Sequence, residues 1–383
     1  MRKSFSFHIA LCTICGIILF ACNGESFSYR GVPEPRIGVS IYSASFYKQG
    51  YVKKACYFVN GRRGVELGGV PGMSEATVLA VADDSVYVAG YYNDGTNDIA
   101  CYWVDGELHS LDVEGISGPG SYAAGIAVSG GNVYICGFGN DYIYPEGYYW
   151  VNGERFDLEA PAGTDVSLGW AITVADNDVY VAGFYHNENS VRQAGCWKNG
   201  LLLDMDISDI PSSFTWAIAV SDNTVYAAGL YFNGSIWLGC YWINGERRLL
   251  QVPEETIDMY ITGIKIDGTN VHVTGNYSTE KTFVAGNIQR WEFKPNAGYW
   301  VNGEMQPLNL AGLTDNAIVD SYTNAIAIYN GVVYVAGYSA YRHDYDLHVP
   351  CYWVNDGIVR RDFPGVGAPF VINSQVIVVK SLE

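Results

Sequence analysis

The chain has 383 residues, 49% apolar and only 16% charged, with 44 Gly, 30 Tyr and 10 Trp. Disordered chains are poor in aromatics and rich in charge, so disorder is excluded over most of the length. Lys and Arg number 22 against 40 Asp and Glu, and the net charge of -18 repels phosphate backbones and excludes a nucleic-acid partner.

Residues 1–21 read as an export signal. Arg2 and Lys3 precede a nearly unbroken apolar run of 13 residues, Ile9 to Ala21. A bilayer span needs about 20, so the run fits the core of a secretory signal rather than a membrane helix. It ends in Leu19-Phe20-Ala21-Cys22, which resembles the lipobox of bacterial lipoproteins. The resemblance implies that Cys22 is lipidated and becomes the first residue of the mature chain. An ordinary signal cleaved near Ala21, with Cys22 incidental, is the alternative. Asn23 is not the Asp that marks inner-membrane retention, which points to the outer membrane or cell surface. Residues 22–36 lack periodicity and read as a tether. No other segment reaches about 18 consecutive apolar residues, so the lipid would be the sole membrane attachment.

From residue 37 onward the chain repeats itself. The phrase Tyr-Trp-Val-Asn-Gly, or a close variant, appears seven times, as in Tyr102–Gly106, Tyr149–Gly153, Tyr241–Gly245 and Tyr299–Gly303. Its glycines are 45, 47, 47, 45, 58 and 54 residues apart. An aromatic run ending in Asn-Gly is a strong hairpin signal, because a type I′ turn needs positive φ at both central residues. A second phrase, Val-Tyr-Val-Ala-Gly or a variant, precedes the later copies and ends at Gly90, Gly137, Gly183, Gly229, Gly275 and Gly337. Each unit therefore reads as four antiparallel strands in about 46 residues, the size of a propeller blade.

The fold expected over 37–383 is all-β: a seven-bladed β-propeller of four-stranded antiparallel blades. The aromatic phrase occurs seven times and the Val-Tyr-Val-Ala-Gly phrase six, so one blade must borrow strands from the chain ends. Ala368–Val379 aligns without a gap on Ala217–Ala228, which would make it a strand, a turn at Asn373–Gln375 and a second strand. Residues 37–42 compete for the second of these places. Either way, the last blade is closed by N- and C-terminal strands, which removes the open sheet edge. The pattern over about residues 37–380 resembles bacterial β-propeller lipoproteins and is similar to extracellular HAF-type repeats. It lacks the WD40 and kelch signatures, and propellers host many activities, so the fold implies no reaction.

Six Trp (103, 150, 197, 242, 300 and 353) share one phase of the repeat and read as core between blades. Trp170 and Trp216 stand just before the innermost strand of successive blades, and Trp237 and Trp291 stand at the loops between second and third strands. Those two loop classes emerge on one face, around the channel mouth. Tyr122, Tyr231, Tyr341 and Tyr345 join the set by position. Exposed aromatics around a cleft suit stacking on sugar rings or peptide side chains.

Cys56, Cys101, Cys240 and Cys351 recur in phase in four blades, too far apart for disulfides, and read as small buried hydrophobes. His343, Asp344, Asp346 and His348 have metal-ligand chemistry, and Asn93–Asp98 has oxygens suited to calcium; ordinary loop composition is the commoner reading of both. Glu254, Glu255, Asp258 and Asp320 fall in loops on the mouth face, but nothing selects a catalytic pair. No nucleophile, phosphate-binding or dinucleotide motif is present, and no cofactor is expected.

The expected function is a surface-anchored, monomeric lipoprotein propeller that binds a glycan, a peptide or an envelope protein at the mouth face. A carbohydrate-active or other hydrolytic propeller and a scaffold subunit of an envelope complex are the alternatives.

Overall fold

The structure, a computed structural model, describes residues 12–13, 38–49, 51–59, 62–116, 118, 120–139, 145–164, 166–284, 290–306, 308, 318–341, 344–354, 361–362 and 371–380. Among them there is no helix, and the strands form seven antiparallel sheets. Sheet II comprises Ser74–Ala82, Ser85–Asn93, Asp98–Val104 and Glu107–Ser110, hydrogen-bonded in that order. Sheet III follows with Ser121–Ser129, Asn132–Gly139, Glu146–Val151 and Glu154–Asp157, and sheet IV with Ser167–Ala175, Asp178–His186, Arg192–Lys198 and Leu201–Leu202. Sheet V is Ser212–Ser221, Thr224–Phe232, Trp237–Ile243 and Glu246–Leu249. Sheet VI is Asp258–Asp267, Asn270–Val284, Arg290–Val301 and Glu304–Gln306; sheet VII is Ile318–Tyr329, Val332–Tyr341, Asp344–Val354 and Arg361–Asp362.

Sheet I joins the two ends of the chain. Val371–Lys380 pairs with Gly38–Gln49, which pairs with Val52–Val59 and then Arg62–Glu66; Cys12–Thr13 adds a short fifth strand beside Val371–Lys380. This corrects the expected alignment of the C-terminus. Asn373–Gln375 is not a turn: the segment is one continuous strand, and the second strand comes from the N-terminal side. The polar residue at 373 is instead a bulge, skipped between the pairs Ala44–Ser374 and Ser45–Ile372.

The repeated phrases have local causes. Asn152 and Gly153 take φ of 50° and 92°, and Asn244 and Gly245 take 46° and 84°, the type I′ turn that joins the third and fourth strands. The turn Asn also works at a distance: Asn152 Oδ1 accepts from the Val133 amide at 2.9 Å, and Asn244 Oδ1 from the Val225 amide at 2.9 Å. The turn is thereby tied to the start of the second strand.

The six in-phase indoles are buried to 1% exposure or less, as expected. Five have a visible reason to be Trp rather than Phe: each Nε1–H donates to a backbone carbonyl in the connection from the preceding sheet. Trp103 reaches Gly68 at 2.9 Å, Trp150 Asp112 at 2.8 Å and Trp197 Glu159 at 2.8 Å. Trp242 reaches Asp206 at 2.9 Å and Trp300 Gln251 at 2.6 Å. One side chain thus fills the space between sheets and pins the linker that crosses it.

A serine bracket completes the inter-sheet contact. Ser74, Ser121, Ser167 and Ser213 lie at the start of first strands, and their hydroxyls accept from amides of Ala55, Ala100, Gly147 and Ala194 in the previous sheet's third strand. Among the described residues Cys56, Cys101, Cys196 and Cys240 are buried thiols, and burial pushes the Cys196 thiol up to about 12, which keeps it protonated.

Candidate functional site

In sheets IV and V the first strand carries one residue more than its partner. Gly169 pairs with Gly183 and Ala171 with Ala182, so Trp170 is the extra residue; Trp216 is likewise extra between Thr215 and Ala217. Both indoles had been expected just before these strands. They lie inside them, at bulges, which swing the side chain out of the ladder.

The bulges bring the two indoles together at 4.8 Å between ring centroids, tilted by 39°. They form the centre of a longer row. On one side Trp170 meets Phe138 at 5.9 Å, Phe138 meets Tyr122 at 5.3 Å, and Tyr122 meets Tyr91 at 5.1 Å. On the other, Trp216 meets Phe214 at 5.3 Å, Phe214 meets Trp237 at 5.1 Å, and Trp237 meets Phe232 at 5.4 Å. Eight rings thus run unbroken across sheets II to V. Phe138 and Phe214 are buried beneath the row, whereas both Trp at its centre, Tyr122 and Trp237 are half-buried and present ring surface.

One end of the row is polar. The Tyr122 hydroxyl donates to Asp98 Oδ2 at 2.9 Å, and the Tyr91 hydroxyl donates to Glu75 Oε2 at 3.1 Å. Glu75 also holds Lys53 at 2.6 Å, and Lys53 stands 4.2 Å from the Phe46 ring centroid. At the other flank the Arg192 guanidinium lies over Phe184 at 4.6 Å and Phe214 at 5.5 Å.

The structure therefore unites four of the expected ligand residues, Tyr122, Trp170, Trp216 and Trp237. It separates Tyr231, one residue from Phe232 and so on the opposite side of its strand. Tyr231 packs with Ala194, Cys240 and Trp242 in the core between sheets IV and V, with Arg247 at 5.7 Å. Tyr341 ends a strand of sheet VII and Tyr345 lies in the next, but their side chains, like those of Trp291, Asp320, His343, Asp344, Asp346 and His348, lie outside the described residues, as does Cys22. In sheet VI the second and third strands extend beyond the repeat length and stay paired, Ser278 with Pro295 and Val284 with Arg290.

The turn at Asn93–Asp98 uses its own oxygens. Asp94 Oδ1 accepts from the amides of Thr96 and Asn97, and Asn93 Oδ1 from that of Gly95. Asn233 does the same in sheet V, which makes this an Asx-type turn of the repeat. Of the acidic residues, Asp258 opens the first strand of sheet VI, and burial raises its carboxyl above the ordinary range despite a hydrogen bond from Tyr260. Among the described residues no three His, Cys, Asp or Glu cluster as a metal site.

Sequence reading missed Tyr91, Phe138, Phe214 and Phe232. Part of their signal was available: Tyr91 and Phe138 directly follow the strand glycines Gly90 and Gly137, and Phe214 stands two residues before Trp216.

His272 stands where other sheets have Tyr. Its Nδ1 is 2.7 Å from the Tyr299 hydroxyl, and its Nε2 has no partner among the described residues. Burial holds its pKa below the ordinary value, although Asp267 pulls the other way. The unfolded state then binds more protons, so stability is full above about pH 6.5 and declines as pH falls through that value. His272→Tyr is expected to flatten part of this decline in chemical denaturation followed from neutral to mildly acidic pH. Identical slopes for both proteins would rule out His272 as its source.

Two cavities lie between the sheets, neither lined by a residue of the aromatic row. One of about 80 Å³ is lined by first-strand residues of six sheets, including Val78, Gly125, Ala171, Ala217, Gly263 and Ile326. The other, about 330 Å³, opens between sheets IV and V beside Lys198, Met205 and Asn244.

No family model matches the chain, and no curated protein matches it. Among solved structures it is similar to a protein from Lactobacillus plantarum (12% identity, 91% of this chain, 100% of that one, TM-score 0.41). It is also similar to Drosophila Plexin A in complex with Semaphorin 1b (12% identity, 80% of this chain, 84% of that one, TM-score 0.39). A GH43 endo-arabinanase from Bacillus licheniformis is a third (10% identity, 61% of this chain, 94% of that one, TM-score 0.32). At these scores the likenesses carry neither a family nor an activity.

Proposed function

We propose that the seven sheets close into a seven-bladed β-propeller, lipid-anchored in the cell envelope through Cys22, that binds a glycan or peptide on the aromatic row at its mouth face. Closure is supported by the first strands, which touch their neighbours in order from sheet II to sheet VII, with Val371–Lys380 of sheet I in contact with both ends of the series. The small cavity bounded by six sheets fits the same arrangement.

The binding reading rests on one observation: two half-buried indoles from adjacent bulges, 4.8 Å apart, at the centre of an unbroken aromatic row. Core needs would be met by buried rings alone, as they are in the in-phase set. Flat, partly exposed rings stack on the C–H faces of sugars and on apolar side chains.

Trp103→Ala, at a fully buried site, is expected to cost about 3–5 kcal/mol in stability. Trp170→Ala and Trp216→Ala are expected to cost less than half as much. Each should lower retention on an array of glycans and peptides about fivefold or more, as loss of one stacking contact does. Array binding that is untouched in the Trp170→Ala, Trp216→Ala double variant would remove the row as the binding surface.

A further inference from the structure

The bulge recurs in every sheet, and its residues make a circuit of contrasting chemistry. From sheet II to sheet VII the extra residues are Thr77, Ala124, Trp170, Trp216, Thr262 and Asn324. In sheets II to VI the residue that follows the bulge lines the 80 Å³ cavity, so the bulges stand at its rim. In the cyclic order of sheets, Asn324 lies two places from Trp216 and three from Trp170, and Thr77 two from Trp170 and three from Trp216. Three is the largest separation that seven places allow. The indoles thus occupy one arc, and a carboxamide and a hydroxyl occupy the arc across from them.

The polar arc is not fully spent on the fold. The Thr77 hydroxyl donates to the Ala123 carbonyl at 2.6 Å, which leaves its oxygen lone pairs to accept. Asn324 is half-buried, and its carboxamide makes no hydrogen bond to any described residue. A carboxamide offers a donor and an acceptor side by side, the match for a hydroxyl that both gives and takes a proton. None of the six bulge residues carries a charge, within a chain of net charge -18.

We propose that this rim seats a single neutral pyranose ring, its C–H face on Trp170 and Trp216 and its hydroxyl edge turned to Asn324. This rests on the mouth-binding reading above and adds the ligand's class and a second, polar contact. The cavity sets the depth. A cavity that takes up benzene measures about 150 Å³, so a cavity of about 80 Å³ does not admit a sugar ring. The ring stays at the rim, and the rest of the glycan follows the exposed part of the aromatic row toward Trp237.

The test is a titration of the full chain, followed by tryptophan fluorescence, with cellohexaose, mannohexaose, β-1,4-galactohexaose and hexagalacturonate. At least one neutral hexaose should bind, with hexagalacturonate about tenfold weaker or worse. Asn324→Ala should raise the Kd for the neutral ligand about tenfold, the loss of roughly one well-formed hydrogen bond. Its near-UV circular dichroism should be unchanged, and Asn324→Gln should restore part of the affinity. No binding of any neutral hexaose, equal binding of hexagalacturonate, or an unchanged Kd in Asn324→Ala overturns the proposal. If Trp170→Ala weakens binding and Asn324→Ala does not, the mouth reading stands and the sugar seat falls. If neither variant weakens it, both fall.

Discussion

Gly183→Ala is expected to cost more than about 3 kcal/mol, among the larger effects a single methyl produces. The cause is backbone proximity, since a Cβ at Gly183 would overlap the Leu168 carbonyl oxygen next to the Trp170 bulge. That oxygen belongs to the opposing strand and cannot move without breaking the ladder on both sides of the bulge. Gly229 meets the Phe214 carbonyl in the same way beside the Trp216 bulge. The last residue of the Val-Tyr-Val-Ala-Gly phrase is therefore glycine because the bulge opposite it presses the two strands together. Gly68→Ala is the matched control, because a Cβ there meets nothing within 4 Å. It should change stability by less than about 0.5 kcal/mol in urea unfolding. Similar midpoints for the two variants would show that the strands are not in close contact at the bulge.

Deleting residues 368–383 is expected to abolish cooperative unfolding. The deletion removes Val371–Lys380, which pairs with Gly38–Gln49 from Gly38 to Phe46. It leaves a 12-residue strand with an open edge. Long unpaired edges template aggregation. The same strand touches the first strands of sheets II and VII, so two inter-sheet contacts go with it. Calorimetry and size-exclusion chromatography should report a broadened or absent transition and high-mass species. A truncated chain that stays monodisperse and melts like the full-length one would show that this strand closes nothing.

Much of this architecture was legible because each repeat encodes the same physical tasks. The Asn-Gly pairs announced turns that need positive φ, and the structure places Asn152, Asn199, Asn244 and Asn302 there. The in-phase Trp announced a core that repeats with the sheets. Bulges were not legible. A bulge shifts register by one residue, and a strand that contains one loses its clean two-residue alternation. That is why the polar residue at 373 looked like part of a turn and why Trp170 and Trp216 looked like loop residues. The same step of one residue put Tyr231 in the core and Phe232 in the aromatic row. The Ser bracket between sheets escaped notice because Ser74, Ser121, Ser167 and Ser213 lie at strand starts, where serine is unremarked. Only the backbone pairing shows what their hydroxyls meet.

The candidate site follows from these departures from regularity. In sheets II to V aromatic side chains near the bulges meet in an unbroken row of eight rings. The most direct measurement is oxidation of indoles by N-bromosuccinimide, mapped residue by residue by mass spectrometry, with and without a ligand that the array identifies. Trp170, Trp216 and Trp237 should react well ahead of Trp103, Trp150, Trp197, Trp242 and Trp300, and bound ligand should protect Trp170 and Trp216 most. Ligand-induced protection elsewhere, with Trp170 and Trp216 still oxidised at the free rate, would contradict binding on the aromatic row.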